Sequence, residues 1–170
     1  MALIVEDGSN VPDANSYTDV YTLRLYCKER GNDLPESDEV CETLLIRAMD
    51  YLQSLEPKFK GRRVSMEQRL SWPRDDVRGH PWPDVIQNNY MPYELITAQC
   101  ALAVEALEHD LMPTRLAGPQ QGPIVKEKVE GAVETVYANP GKEKMVDAFS
   151  KADAQLQGLL KRGGLFMVRA

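Results

Sequence analysis

Between Lys58 and Met91 the sequence sustains neither a helical nor a strand period, and that stretch decides how everything else is arranged. Gly61, Pro73, Gly79, Pro81 and Pro83 interrupt any long element within it. An irregular length of this size is unusual inside a compact domain and is often functional where it occurs. Trp72 and Trp82, the chain's two tryptophans, are the anchors available to order it. Regular elements are expected on either side.

Upstream, residues 2–6 form a short β-prone run, and Ser16 is a suitable N-cap for a helix over 17–30. That helix carries Val20, Leu23 and Cys27 on one face, and Gly31-Asn32 stops it. A second helix starts behind Ser37, repeats Cys41, Leu45, Ala48, Leu52 and Leu55 at helical spacing, and closes at Pro57. Downstream, a third helix begins with Pro92 at its first position and runs to about Leu111. It is apolar around more than half its circumference, so it is expected at the centre. Residues 124–130 and 132–138 read as a hairpin turning at Gly131, with Val125 and Val129 on one strand and Val133, Thr135 and Tyr137 sharing a face of the other. A weaker helix over 145–160 and an apolar tail behind Gly163-Gly164 complete the chain.

The expected fold is mainly α: a bundle of three to four helices with an inserted β-hairpin arm and an extended C-terminal tail. It forms a single domain over 1–170, with a helical core at about 14–112, the arm at about 118–140, and the last helix and tail at about 145–170.

Composition narrows the function. An apolar share of 43% and a charged share of 27% fit an ordinary globular domain. No apolar run approaches the roughly 20 residues that cross a bilayer, so no membrane partner is expected. The N-terminus lacks the basic region of a secretion signal, which points to synthesis in the cytoplasm. Cys27, Cys41 and Cys100 are widely spaced, form no CxxC pair and fall in helical apolar patterns, so they read as buried hydrophobes. The two histidines, His80 and His109, sit in no nucleophile motif, and Asp75-Asp76 reads as a solvated turn. There is no nucleotide-binding glycine loop, zinc-helix motif or calcium loop. The expectation is a non-enzymatic protein with no cofactor and no metal.

Net charge is −6, unevenly placed. Lys58 to Arg78 holds seven cations against three carboxylates, a net +4, so the remainder carries −10. Within it, residues 59–74 interleave Phe59 and Trp72 with Lys60, Arg62, Arg63, Arg69 and Arg74. Aromatic faces and cations are what single-strand nucleic-acid binding requires. The competing reading makes Phe59 and Trp72 core anchors of a long loop. Arg62, Arg63 and Arg74 then meet acidic surfaces of this chain or of identical neighbours, as in a ring. Given the acidic remainder, the second reading is preferred.

Several ordered motifs carry a family resemblance: Val5-Glu6-Asp7-Gly8, Ala14-Asn15-Ser16-Tyr17, residues 45–52 (LIRAMDYL), 59–63 (FKGRR) and 68–74 (QRLSWPR). Residues 98–103 (AQCALA), 126–138 (KEKVEGAVETVYA) and 163–169 (GGLFMVR) continue it. Together they resemble tailed-bacteriophage neck proteins, the group labelled putative DnaT-like single-stranded-DNA-binding proteins, over almost the whole chain. The resemblance implies a structural head–tail connector in the virion neck. Such a subunit forms a ring of twelve identical copies beneath the portal protein and passes packaged double-stranded DNA through its channel. It also offers a docking surface to a downstream neck or tail-completion protein. Leu165, Phe166, Met167, Val168 and Arg169 would then contact the portal or the next ring, and the hairpin residues Val125, Val129, Val133 and Tyr137 would be completed by adjacent subunits. The alternative remains a single-stranded nucleic-acid-binding module using residues 59–74.

Overall fold

A computed structural model of the chain describes residues 2–112, 124–129, 133–137 and 150–161, with Ser150 and the two short middle ranges given by their backbone. The chain divides into two compact units, residues 1–112 with 149–170, and residues 113–148. Among the described residues there are four α-helices and three two-stranded antiparallel pairs, a helix-rich fold. No described helix is long and apolar enough to cross a membrane.

Helix α1 (Val20–Arg30) starts later than the spacing suggests, because Asp19 and not Ser16 is its cap. The Asp19 carboxylate accepts the Thr22 N–H at 2.8 Å, while the Ser16 hydroxyl is spent inside the core. Gly31, at φ 67°, closes the helix in the left-handed region. Helix α2 (Asp38–Ser54) follows Ser37, with Asp38 and Glu39 at its positive end, and Pro57 sits in a turn of 3-10 helix (Glu56–Lys58) beyond it.

Helix α3 (Tyr93–Glu105) has Pro92 as its N-cap and ends before the expected Leu111. Past Ala106 the sequence turns polar, and Arg47 of α2 takes the freed carbonyls, donating to Ala106 O at 2.7 Å and His109 O at 3.1 Å. Helix α4 (Ser150–Leu156) lies within the expected 145–160 and gives way to turns before Gly158.

α3 packs against α1, α2 and α4. Its Leu95, Ala98, Leu102 and Ala103 are fully buried, in one core with Leu23 of α1, Leu45 and Leu52 of α2, and Leu156 of α4. Each large aliphatic side chain buried this way contributes about 1.5–3 kcal/mol.

The aperiodic stretch contains two small ladders that no alternation announces. β1 (Arg62–Arg63) pairs with β2 (Arg74–Asp75), and β3 (Val77–Arg78) pairs with β4 (Val85–Ile86), both antiparallel. Each strand is two residues long, too short for a period to register. The N-terminal run contributes only one parallel bridge, Val5 to Ser16. In the second unit β5 (Ile124–Val129) pairs with β6 (Val133–Tyr137) in the expected hairpin. Val129 registers with Val133 and Ile124 with Tyr137, and Val125 falls at a register shift.

Candidate functional site

The basic-aromatic segment is ordered from the inside. Phe59 and Trp72 are both 0% exposed and meet edge to face, with ring centroids 5.9 Å apart at 87°. The backbone N–H of Trp72 donates to the Tyr17 hydroxyl at 3.1 Å. Neither ring has a face left for a base. Single-strand binding through Phe59 and Trp72 is therefore excluded in this fold.

The arginines divide by burial. Arg74 is 5% exposed, and its guanidinium donates to Lys60 O at 2.7 Å, Gly61 O at 2.9 Å and Ser71 O at 3.1 Å. Burial pushes its pKa down, with the nearby Glu56 carboxylate acting in the other direction. Arg63 grips Glu56 with two short bonds of 2.5 Å and donates to Gln68 O at 2.8 Å. Those bonds hold the Glu56 carboxyl below its ordinary value and raise Arg63. Arg62 alone of the three points outward, in an exposed pair with Asp75 at 3.1 Å. Arg63 and Arg74 thus meet acceptors of their own chain.

Gln68 pins the loop that these arginines bracket. Its Oε1 accepts from Val64 N at 3.1 Å, and its Nε2 donates to Leu70 O and Pro73 O at 2.7 and 2.8 Å. Gly61 is required at the crossing with β2: it sits at φ 68°, and a Cβ there would lie 2.2 Å from Asp75 O.

The N-terminal motifs are structural in the same way. The Glu6 carboxylate is buried and accepts the N–H groups of Gly8, Asn10 and Val11, each at 2.9 Å. Asn15 returns two bonds to residues 2–4, accepting from Ile4 N and donating to Ala2 O. Gln99 of α3, 0% exposed, joins Tyr17 N, Ser16 Oγ and Leu45 O. Burial pushes the Tyr17 phenol well above its ordinary value. All three cysteines are buried, and burial raises their thiols, Cys100 up to about 12. Among the described residues no group of three or more His, Cys, Asp or Glu is placed to hold a metal.

What the segment 59–74 lacks, a residue outside it supplies. Trp82 is 85% exposed, at the tip of the turn joining β3 and β4. Its backbone N–H donates to Nδ1 of the buried His80 at 3.3 Å, and His80 Nε2 lies 3.4 Å from a Glu94 carboxylate oxygen of α3. Arg78, at the base of the turn, is exposed and bonded to Asp76 at 2.6 Å. Composition alone does not separate Trp82 from Phe59 and Trp72 as an anchor. The Pro residues on either side, which keep it out of a helix or ladder, were the available signal.

The hairpin residues Val125, Val129, Val133 and Tyr137 have a described backbone only, and Leu165 to Arg169 lie outside the described residues.

The whole chain, residues 1–170, matches the model of a family described as "Putative DnaT-like ssDNA binding protein", and the chain belongs to that family. No curated protein and no solved structure matches it.

Proposed function

We propose that this chain is a single-stranded nucleic-acid-binding protein whose contact surface is the helical unit. The family description, covering every residue, supports the class. The observation that carries it to this chain is the exposed Trp82 indole, held on a turn braced by His80 and Glu94. A stacking platform must be rigid and open, and base–aromatic stacking contributes about 1–3 kcal/mol per base. Phe59 and Trp72 meet the first condition and fail the second; Trp82 meets the second, on a backbone bonded to His80. Titration of a labelled oligothymidylate at low salt tests the reading: saturable binding supports it, and no binding rejects it.

A second reading has its own support. The β5–β6 hairpin belongs to a unit separate from the helices, and each strand pairs only with the other among the described residues. A lone hairpin of two strands is marginally stable in water and gains from a neighbour. Adjacent copies would supply that neighbour in a head–tail connector ring of the phage neck, bound to the portal protein, with double-stranded DNA in its channel and a downstream neck or tail-completion protein below. The resemblance of this chain's ordered motifs to neck proteins supports this role. Virion imaging that finds no ring of this chain between portal and tail would reject it. Unchanged attachment to portal-bearing heads after deletion of 163–170 would reject a docking role for the tail.

A further inference from the structure

The C-terminal segment returns to the basic loop. Lys60 N donates to Leu159 O at 2.9 Å and Lys161 N to Lys58 O at 2.8 Å, around an antiparallel bridge between Phe59 and Leu160. Three lysines from segments about 100 residues apart are thereby brought together: Lys58, Lys60 and Lys161. Among the described residues none of them is ion-paired to a carboxylate. Lys60 then reaches across, its Nζ donating to Gly79 O at 2.6 Å and Gly158 O at 2.8 Å. It links this lysine row to the turn that carries Arg78 and Trp82.

A groove runs between Lys60 and the turn; Trp82 follows its Pro81 in sequence, Lys58 precedes its Lys60 by two residues and Lys161 follows its Gly158 by three. One part, about 650 Å³, is lined by Lys60, Arg78, Gly79, His80, Pro81 and Asp84. It continues into a recess of about 220 Å³ that shares Lys60, Gly79 and Pro81 and reaches Gly158. The far wall is closely fitted: a Cβ on Gly158 would lie 3.2 Å from the Pro81 ring and 3.3 Å from the His80 ring.

We infer that this groove is the single-strand binding site, with the phosphate backbone running along Lys161, Lys58, Lys60 and Arg78 and a base stacked on Trp82. The assignment rests on the nucleic-acid reading above and adds the site to it. Four cations here stand among three carboxylates, Asp76, Asp84 and the Glu94 that meets His80, on a chain whose net charge is −6. This is therefore a local basic track on an acidic protein. Arg78 is paired with Asp76, but both are more than half exposed, at 76% and 57%, so exchanging that partner for a phosphate costs little stability. A stacking face beside spaced cations fits a polyanion that carries aromatic bases. Double-stranded DNA, its bases stacked inside the helix, offers nothing to the indole.

The test uses the full chain and a fluorescently labelled oligothymidylate over a salt series. Two variants change only exposed side chains: Trp82→Ala, and the triple variant Lys58→Gln/Arg78→Gln/Lys161→Gln. Lys28→Gln, on the exposed part of α1, is the control. Trp82→Ala is expected to weaken binding about tenfold with the salt slope unchanged. The triple variant is expected to weaken it and to reduce the slope of log K against log salt by about 2, at roughly 0.7 for each phosphate no longer neutralised. Wild-type binding that both variants retain in full would overturn the groove while leaving the nucleic-acid reading standing. Absence of wild-type binding would overturn both. Equal displacement by polyglutamate, with no effect of Trp82→Ala, would make the groove a site for acidic protein segments and overturn the assignment.

Discussion

Gln99 Oε1 accepts the backbone N–H of Tyr17 at 2.8 Å, tying the N-terminal segment to the central helix α3 in a place with no solvent. The same amide donates to Ser16 Oγ at 2.9 Å and Leu45 O at 3.0 Å, so one side chain meets three groups on two segments, the N-terminal run and α2. Gln99→Leu keeps the volume and removes every bond, leaving the Tyr17 N–H and the Leu45 carbonyl buried without this partner. A loss of about 3 kcal/mol is expected in urea unfolding. A loss under about 1 kcal/mol would mean the network is not needed.

The two tryptophans should respond oppositely to truncation. Trp72→Ala empties a fully buried site against Phe59 and is expected to cost about 3–5 kcal/mol of stability. Trp82→Ala removes an 85% exposed side chain and should change stability by no more than about 0.5 kcal/mol. Paired denaturation curves check this. Similar losses in both would contradict the division between anchor and platform.

Glu56 gives the fold an acid limb. Arg63 holds its carboxyl below the ordinary value, so the stabilisation is complete above the unfolded-state pKa and is lost as pH falls through the lower folded value. Melting temperature should therefore decline on acidification below the ordinary glutamate range, and Glu56→Gln should flatten part of that decline. At neutral pH the substitution should cost about 1–2 kcal/mol, since the pair is roughly one-third exposed. An unchanged acid limb in Glu56→Gln would contradict the assignment.

Gly61→Ala is expected to destabilise by about 2 kcal/mol or more, because the left-handed backbone and the Asp75 carbonyl both exclude a Cβ. Gly31→Ala, also at positive φ but with nothing within 4 Å, should cost less, about 1 kcal/mol. Chemical denaturation of the two variants separates steric closeness from backbone strain. Equal costs would show that the approach to Asp75 is unimportant.

Apolar spacing was enough to locate α1, α2 and α3, because each buries a continuous helical stripe. Its errors came where polar side chains had two uses. Ser16 reads as a cap from neighbouring residues alone, but its hydroxyl bonds to Gln99, which lies far along the sequence. The early end of α3 depends on Arg47 of another helix. In the loop, composition brought out Phe59, Trp72 and the arginines, yet could not say that burial takes Arg74 and both rings out of reach. Lys161 was not legible as a neighbour of Lys58 at all, since every bond that joins their segments ends on a backbone carbonyl, which no residue type announces. Sequence patterns record faces of elements, and this groove is made by a crossing between segments.

Intrinsic fluorescence gives the most direct measurement, because the chain has two tryptophans, one enclosed and one open. Titration with single-stranded oligothymidylate at low salt should quench the red-shifted emission of Trp82, leave the blue emission of Trp72 in place, and lose its signal in Trp82→Phe. Emission that does not change as oligonucleotide is added, in a protein whose Trp82 remains open to iodide quenching, would contradict single-strand binding at this surface.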